Sequence, residues 1–218
     1  MYDLSDVLDV PALTAVDPGT CILVSGPAMT GTTDLVLDIL ASGARRGEGA
    51  VAVTTNDDAG GAIQSILERT RDVEAGRLAA IDCRSEGADG DETAAGAYVS
   101  HAGDPSDLTG MGISITESLE RIEDFGVDRG RLALWSLSTM LTYTDRQTVF
   151  KFCHVLSSRL DSAGFVGAFT IDSSAHESQT LQVVKQPFDG LIEVRERDGT
   201  REARVMGVEP DPSEWVPL

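Results

Sequence analysis

A short apolar run, Cys21 to Ser25, passes at once into Gly26-Pro27-Ala28-Met29-Thr30-Gly31-Thr32-Thr33, and Val36, Ile39, Leu40 and Gly43 then recur at helical spacing. Strand, glycine loop and helix in that order restrict the chain to architectures in which a buried strand feeds a helix laid across a parallel sheet. The pattern continues. Ala50 to Thr55 leads into Ile63, Ile66 and Leu67 on one helical face, and Arg77 to Asp82 supplies a third strand. The βαβαβ alternation predicts a mainly parallel sheet buried on both faces.

From Arg84 to Gly112 the chain turns rich in Gly, Asp, Ser and Ala and shows no period, so 84–112 reads as a loop-rich insertion with little core. Ser114 and Glu117 form a capping-box pattern ahead of Ile115, Leu119 and Ile122. Arg131 to Ser136 is the next strand, Thr144 with Gln147 opens a long helix through Val149, Phe152, Cys153, Leu156 and Leu160, and Gly164 to Ile171 is a further strand. A helix is expected from Ala175 to Lys185. Leu191 to Arg197 and Arg201 to Val208 flank Asp198-Gly199, the signature of a tight antiparallel hairpin. Pro210, Pro212 and Pro217 make the tail 209–218 irregular, pinned by Trp215. There is no internal repeat, and 218 residues suit one α/β domain spanning 1–218.

Charge is the unusual compositional term: 36 acids against 17 basic residues give a formal net charge of −19, and Lys151 and Lys185 are the only lysines. Acidic, lysine-poor surfaces suit concentrated salt, where hydrated carboxylates keep a fold soluble. The same charge argues against a broad nucleic-acid footprint, which needs Lys and Arg to neutralise phosphates. Cys21, Cys83 and Cys153 are widely spaced and contain no CxxC pair, so neither a disulfide framework nor a zinc site is indicated. The start has no basic and apolar leader pattern, and no eighteen apolar residues run together, which predicts a cytoplasmic protein without a membrane partner.

The loop matches G-x-x-x-x-G-K-[ST] at Gly26, Gly31 and Thr33, but Thr32 stands where the lysine belongs. In such a loop backbone amides and the helix N-terminus hold phosphate, and the Ser/Thr hydroxyl meets magnesium. Gly26, Thr30, Gly31, Thr32 and Thr33 are therefore the candidate nucleotide-binding residues, with Thr33 the candidate for magnesium. A charge-assisted hydrogen bond contributes roughly 1.5–3 kcal/mol, so loss of the lysine weakens binding by about one to two powers of ten. Catalysis suffers more, since that lysine also stabilises charge on the departing phosphoryl group. A strand-to-helix turn that binds nothing is the plain alternative.

The segments LVSGPAMTGTT, VAVTTNDD, RLALWSLSTML, DSSAHESQT and FDGLIEVR, in that order, resemble the KaiC-like branch of the RecA superfamily, and most closely its haloarchaeal paralogues of unassigned role. The resemblance covers nearly the whole chain. It implies a RecA-type P-loop core with a terminal antiparallel hairpin, ATP or ADP with magnesium at the glycine loop, and assembly into homo-oligomeric rings with nucleotide between subunits. It also implies departures. The aspartate that ends the family's Walker B strand is Trp135 here, and the two acids that follow the second strand fall at Asn56 and Asp57, with Asp58 next. Asp57 is the one catalytic candidate left.

Three functions follow. The first is a non-hydrolysing regulatory or scaffold protein, a pseudo-ATPase that binds a protein partner or a KaiC-like relative. The second is an ATP-binding sensor or slow ATPase that uses the residual loop. The third, recombinase-like DNA binding, rests on fold analogy alone. His101, His154 and His176 stand apart from one another and suggest no metal site; Ser136, Ser138 and Thr139 form a hydroxyl cluster at a strand end with no base within sequence reach.

Overall fold

A computed structural model of the chain describes residues 1–84 and 92–218. Its strands are β1 (Cys21–Gly26), β2 (Gly49–Thr54), β3 (Leu78–Asp82), β4 (Glu92–Ala94), β5 (Ala97–His101), β6 (Gly130–Trp135), β7 (Val166–Asp172), β8 (Gly190–Arg197), β9 (Thr200–Met206) and β10 (Val216–Pro217). Its α-helices are α1 (Thr32–Arg45), α2 (Ala59–Arg69), α3 (Leu108–Asp124), α4 (Leu137–Tyr143), α5 (Arg146–Ala163) and α6 (Ser178–Lys185). All the strands join one sheet in the order β10-β9-β8-β1-β7-β6-β2-β3-β5-β4. Pairing is parallel from β8 across to β5 and antiparallel at β8–β9, β9–β10 and β4–β5.

The central strands are buried along their whole length because helices cover both faces. One face presents Ala50, Ala52, Ala80, Ala133 and Ala168 to α1, α2 and the N-terminal segment; these short side chains let the helices approach closely. The other presents Val51, Val53, Leu132, Leu134 and Phe169 to α3, α4, α5 and α6. The N-terminal segment, which carries neither period, buries Tyr2, Leu4, Leu8, Val10, Leu13 and Val16 on the first face. Tyr2 donates its hydroxyl to the Gly164 carbonyl at 2.7 Å and accepts the Gly130 amide at 3.1 Å. Arg131, fully buried, donates to Glu48 at 2.6 Å and to the Ile39 and Asp3 carbonyls, each at 3.0 Å, tying that segment to α1 and β6.

Several boundaries differ from expectation. Within 84–112, β4, β5 and the first turn of α3 replace the loop-rich reading, and Ala97, Val99, Ala102 and Met111 are core; 85–91 lie outside the described residues. Helix α3 starts at Leu108 behind Asp107, whose carboxylate accepts the Gly110 amide at 2.9 Å, and not at the Ser114–Glu117 pair, which sits mid-helix with Ser114 buried. Gly110 and Gly112 hide the helical signal locally, and burial of Met111 and Ile115 compensates. The cap of α5 is Asp145, one residue beyond Thr144, because its carboxylate accepts from both Gln147 and Thr148 amides. The hairpin turns at Asp198-Gly199 as expected. The tail is irregular except for β10, and Trp215 lies under the Arg195 and Arg204 guanidinium groups at 3.7 and 4.7 Å. No helix among the described residues is long and apolar enough to cross a membrane.

Candidate functional site

Parallel strands deliver their carboxyl ends to one edge of the sheet, where doubly wound folds place ligands. The glycine loop lies there, between β1 and α1. Thr30 is buried and pins the loop to itself, its hydroxyl donating to the Pro27 carbonyl at 2.7 Å, while Met29 stands at the tip 96% exposed. Gly31 is the N-cap of α1 with φ 90° and ψ 18°, a left-handed conformation that glycine adopts without strain. Gly26 needs its missing side chain for a different reason: a Cβ there would sit 2.8 Å from the Thr30 hydroxyl and 3.0 Å from the Val194 carbonyl.

No side chain caps α1, and the Thr32 and Thr33 hydroxyls make no hydrogen bond among the described residues. Uncapped amides and the helix dipole favour an anion at this point. The lysine that would add full charge is absent. Arg201 of β9 brings its guanidinium beside Gly31, so close that a Cβ on Gly31 would meet Nη1 at 2.5 Å. It lines a cavity of about 320 Å³ with Arg69, Asp34 and Asp38, a neighbour that the sequence pattern did not reveal.

At the ends of β2 and β6, register pairs Thr54 with Trp135. The Trp135 side chain is 2% exposed, packed into the alanine-lined face, and its indole Nε1–H donates to Asp57 Oδ2 at 2.8 Å. Asn56 is exposed. Asp58 caps α2, accepting the Gly61 amide at 2.6 Å, and pairs with Arg84 at 3.1 Å. Arg84 also pairs with buried Asp82 at 2.6 Å. Asp58 and Asp82 are thereby held by structure, and Asp57 by the indole.

The hydroxyl cluster divides. Ser136 caps α4 by accepting the Thr139 amide at 3.3 Å. Ser138 accepts the Asp172 amide at 2.9 Å and shares a hydrogen bond of 2.8 Å with His176 Nε2, so the structure supplies the imidazole that sequence separation concealed. Burial pushes the Asp172 carboxyl up, but the Ser174 hydroxyl and amide, with the Ala175 and Ala28 amides, bring it below the usual carboxylate range. The other histidines lie elsewhere: His154 stacks on Phe150, and both ring nitrogens of His101 are buried with no hydrogen-bond partner among the described residues. No group of three His, Cys, Asp or Glu suited to a metal occurs among the described residues. A cavity of about 590 Å³ opens at the opposite, amino end of the strands, lined by Asp17, Asp161, Asp189 and His154; it carries no phosphate-binding turn and lies away from the residues above.

Residues 19–194 match a family described as a family of unknown function, DUF7504. No curated protein matches the chain. Among solved structures the chain is similar to a KaiC-like protein, PH0186, of the hyperthermophilic archaeon Pyrococcus horikoshii OT3, with a TM-score of 0.66 and 14% identity over 100% of this chain and 91% of that one. At that identity the likeness shows the fold alone, a KaiC-like arrangement of mostly parallel strands with a terminal antiparallel hairpin.

Proposed function

Because the chain belongs to this family of unknown function, whose name assigns no activity, we propose from the loop and strand-end chemistry that it is a non-hydrolysing regulatory or scaffold protein on a KaiC-like fold. The observation that carries this reading is the indole of Trp135 bound to Asp57 at 2.8 Å. Hydrolysis on such a fold needs an acid to order magnesium and an acid to take a proton from water. An indole offers neither a lone pair for the metal shell nor a base, and it engages the carboxylate that remains. Thr32 in place of lysine removes the third contribution.

The phosphate half of a nucleotide fits better than the magnesium half. The α1 amides and the Thr33 hydroxyl would hold β- and γ-phosphate oxygens, whereas Thr33 alone is a poor magnesium set. These uncapped amides favour a second reading, an ATP- or ADP-binding sensor that signals to a protein partner without turnover.

Calorimetric titration of ATP and ADP in molar KCl, with and without magnesium and with Gly31→Glu as the blocked loop, separates the readings. We expect no turnover in either protein. ATP hydrolysis by the wild type that disappears in Gly31→Glu or Thr33→Ala overturns the proposal. Binding lost in Gly31→Glu without turnover selects the sensor; no binding selects the scaffold.

A further inference from the structure

Helices α3 and α5 lie side by side on one face of the sheet, with a groove of about 540 Å³ between them lined by Leu108, Ile113, Phe152, Val155 and Leu156. Two of these apolar side chains face solvent: Ile113 is 54% exposed and Val155 67%. Arg159 reaches across the groove to the Thr116 hydroxyl. Adjacent exposed apolar residues on two neighbouring helices mark an association surface.

The charges beside the groove are sorted. In a chain of net charge −19, α5 carries Arg146, Lys151 and Arg159 against the single acid Asp161. Helix α3 carries Glu117, Glu120, Glu123 and Asp124 against Arg121. Helical spacing places Lys151 one turn before Val155 on the same outer stripe, and Glu117 on the stripe of Ile113 with Glu120 beside it. Lys151, Glu117 and Glu120 make no ion pair among the described residues.

An acidic partner would meet repulsion along α3 and a basic one along α5. A second copy of this chain, turned about a two-fold axis so that its α5 lies over the first copy's α3, matches both rims at once. We propose that the α3–α5 face is an isologous dimer interface, in which Ile113 and Val155 are buried across the axis and Lys151 of each copy meets Glu117 and Glu120 of the other. The glycine loop and the Trp135–Asp57 pair lie at the strand ends, so this dimer leaves both open.

Sedimentation equilibrium of the full chain at about 0.3 M KCl tests this, salt that damps the overall repulsion while leaving close pairs effective. We expect a dimer in the wild type and a loss of affinity of about a hundredfold or more in Val155→Glu, an exposed position whose substitution leaves the fold intact by circular dichroism. Lys151→Glu and Glu117→Lys should each weaken the dimer about tenfold, since every reversal acts twice in a two-fold interface, and the combined variant should regain wild-type affinity within about threefold. These side chains do not pair within one copy, so restoration requires contact between copies. A wild type that stays monomeric up to about 0.1 mM, an assembly unmoved by Val155→Glu, or a combined variant no tighter than the single ones overturns the proposal.

Discussion

If the indole of Trp135 holds Asp57, the two side chains must be energetically coupled, and a double-mutant cycle of Trp135→Phe and Asp57→Ala measures the coupling. Trp135 is 2% exposed and its Nε1–H reaches Asp57 Oδ2 at 2.8 Å. A hydrogen bond to a charged acceptor contributes about 1.5–3 kcal/mol. Asp57 is itself in an exposed turn, where water competes for its carboxylate, so the value falls at or somewhat below the lower end of that range and we expect a coupling of about 1–2 kcal/mol. Trp135→Phe alone also leaves a void beside Ala133 and the α1 side of the core, adding about 1–2 kcal/mol. The single variant should therefore melt about 4–16 °C lower, given the ~2–4 °C per kcal/mol of a chain this size. Urea unfolding in molar KCl, followed by circular dichroism because Trp135 is one of only two tryptophans, gives all four corners of the cycle. A coupling within about 0.5 kcal/mol of zero refutes the claim that the indole engages this acid.

Other consequences are as direct. Arg131→Met should destabilise by about 3–5 kcal/mol, because it leaves the Glu48 carboxylate with only Arg129 at 3.8 Å and takes the donor from the Ile39 and Asp3 carbonyls, and Glu48→Gln, which keeps an acceptor, should cost less; equal costs in urea unfolding would refute the pairing. Burial pushes the Cys21, Cys83 and Cys153 thiols each up to about 12, so a thiol-reactive chromophore at pH 8 should label none of the three in the native protein within minutes and all after unfolding; a fast native thiol contradicts this. Burial pushes the Asp82 carboxyl up, but Arg84 together with the Arg84 and Ala59 amides holds it below the usual carboxylate range. Its contribution is therefore present above its unfolded pKa of about 3.9 and lost as pH falls through the lower folded value. Asp82→Asn should then be less stable than wild type at pH 7, with the gap closing as pH falls below the unfolded value and through the lower folded one; a gap independent of pH rejects the ionic origin.

What was legible in the sequence was local. Strand β1, the glycine loop and α1 announce themselves because apolar run, turn residues and helical period follow one another within 25 residues of chain. The β8–β9 turn is legible because Asp198 and Gly199, both at positive φ, suit a two-residue hairpin. Helix α3 was obscured at its start because Gly110 and Gly112 oppose helix locally, and only contact of Met111 and Ile115 with the sheet offsets that. Helix α4 is one short stretch between two longer signals, set by the Ser136 cap and by burial of Leu137 and Met140. The N-terminal segment follows no period because its side chains fill gaps beside helices and strands distant in sequence.

The candidate site divides along the same line. Sequence alone determined that Gly26, Gly31 and Thr33 keep the spacing of a phosphate-binding loop, that Thr32 is not a cation, and that Trp135 stands at a strand end. Only the tertiary structure decided what the remaining groups do. The alignment of Thr54 with Trp135 brings the indole to a carboxylate 78 residues away, packing of α4 against β7 brings Ser138 to His176, and the return of β9 beside β8 lays Arg201 against Gly31. A hydrogen bond depends on angstrom-scale placement, and that placement is set by sheet register and helix packing over the whole fold, which no local window of residues contains.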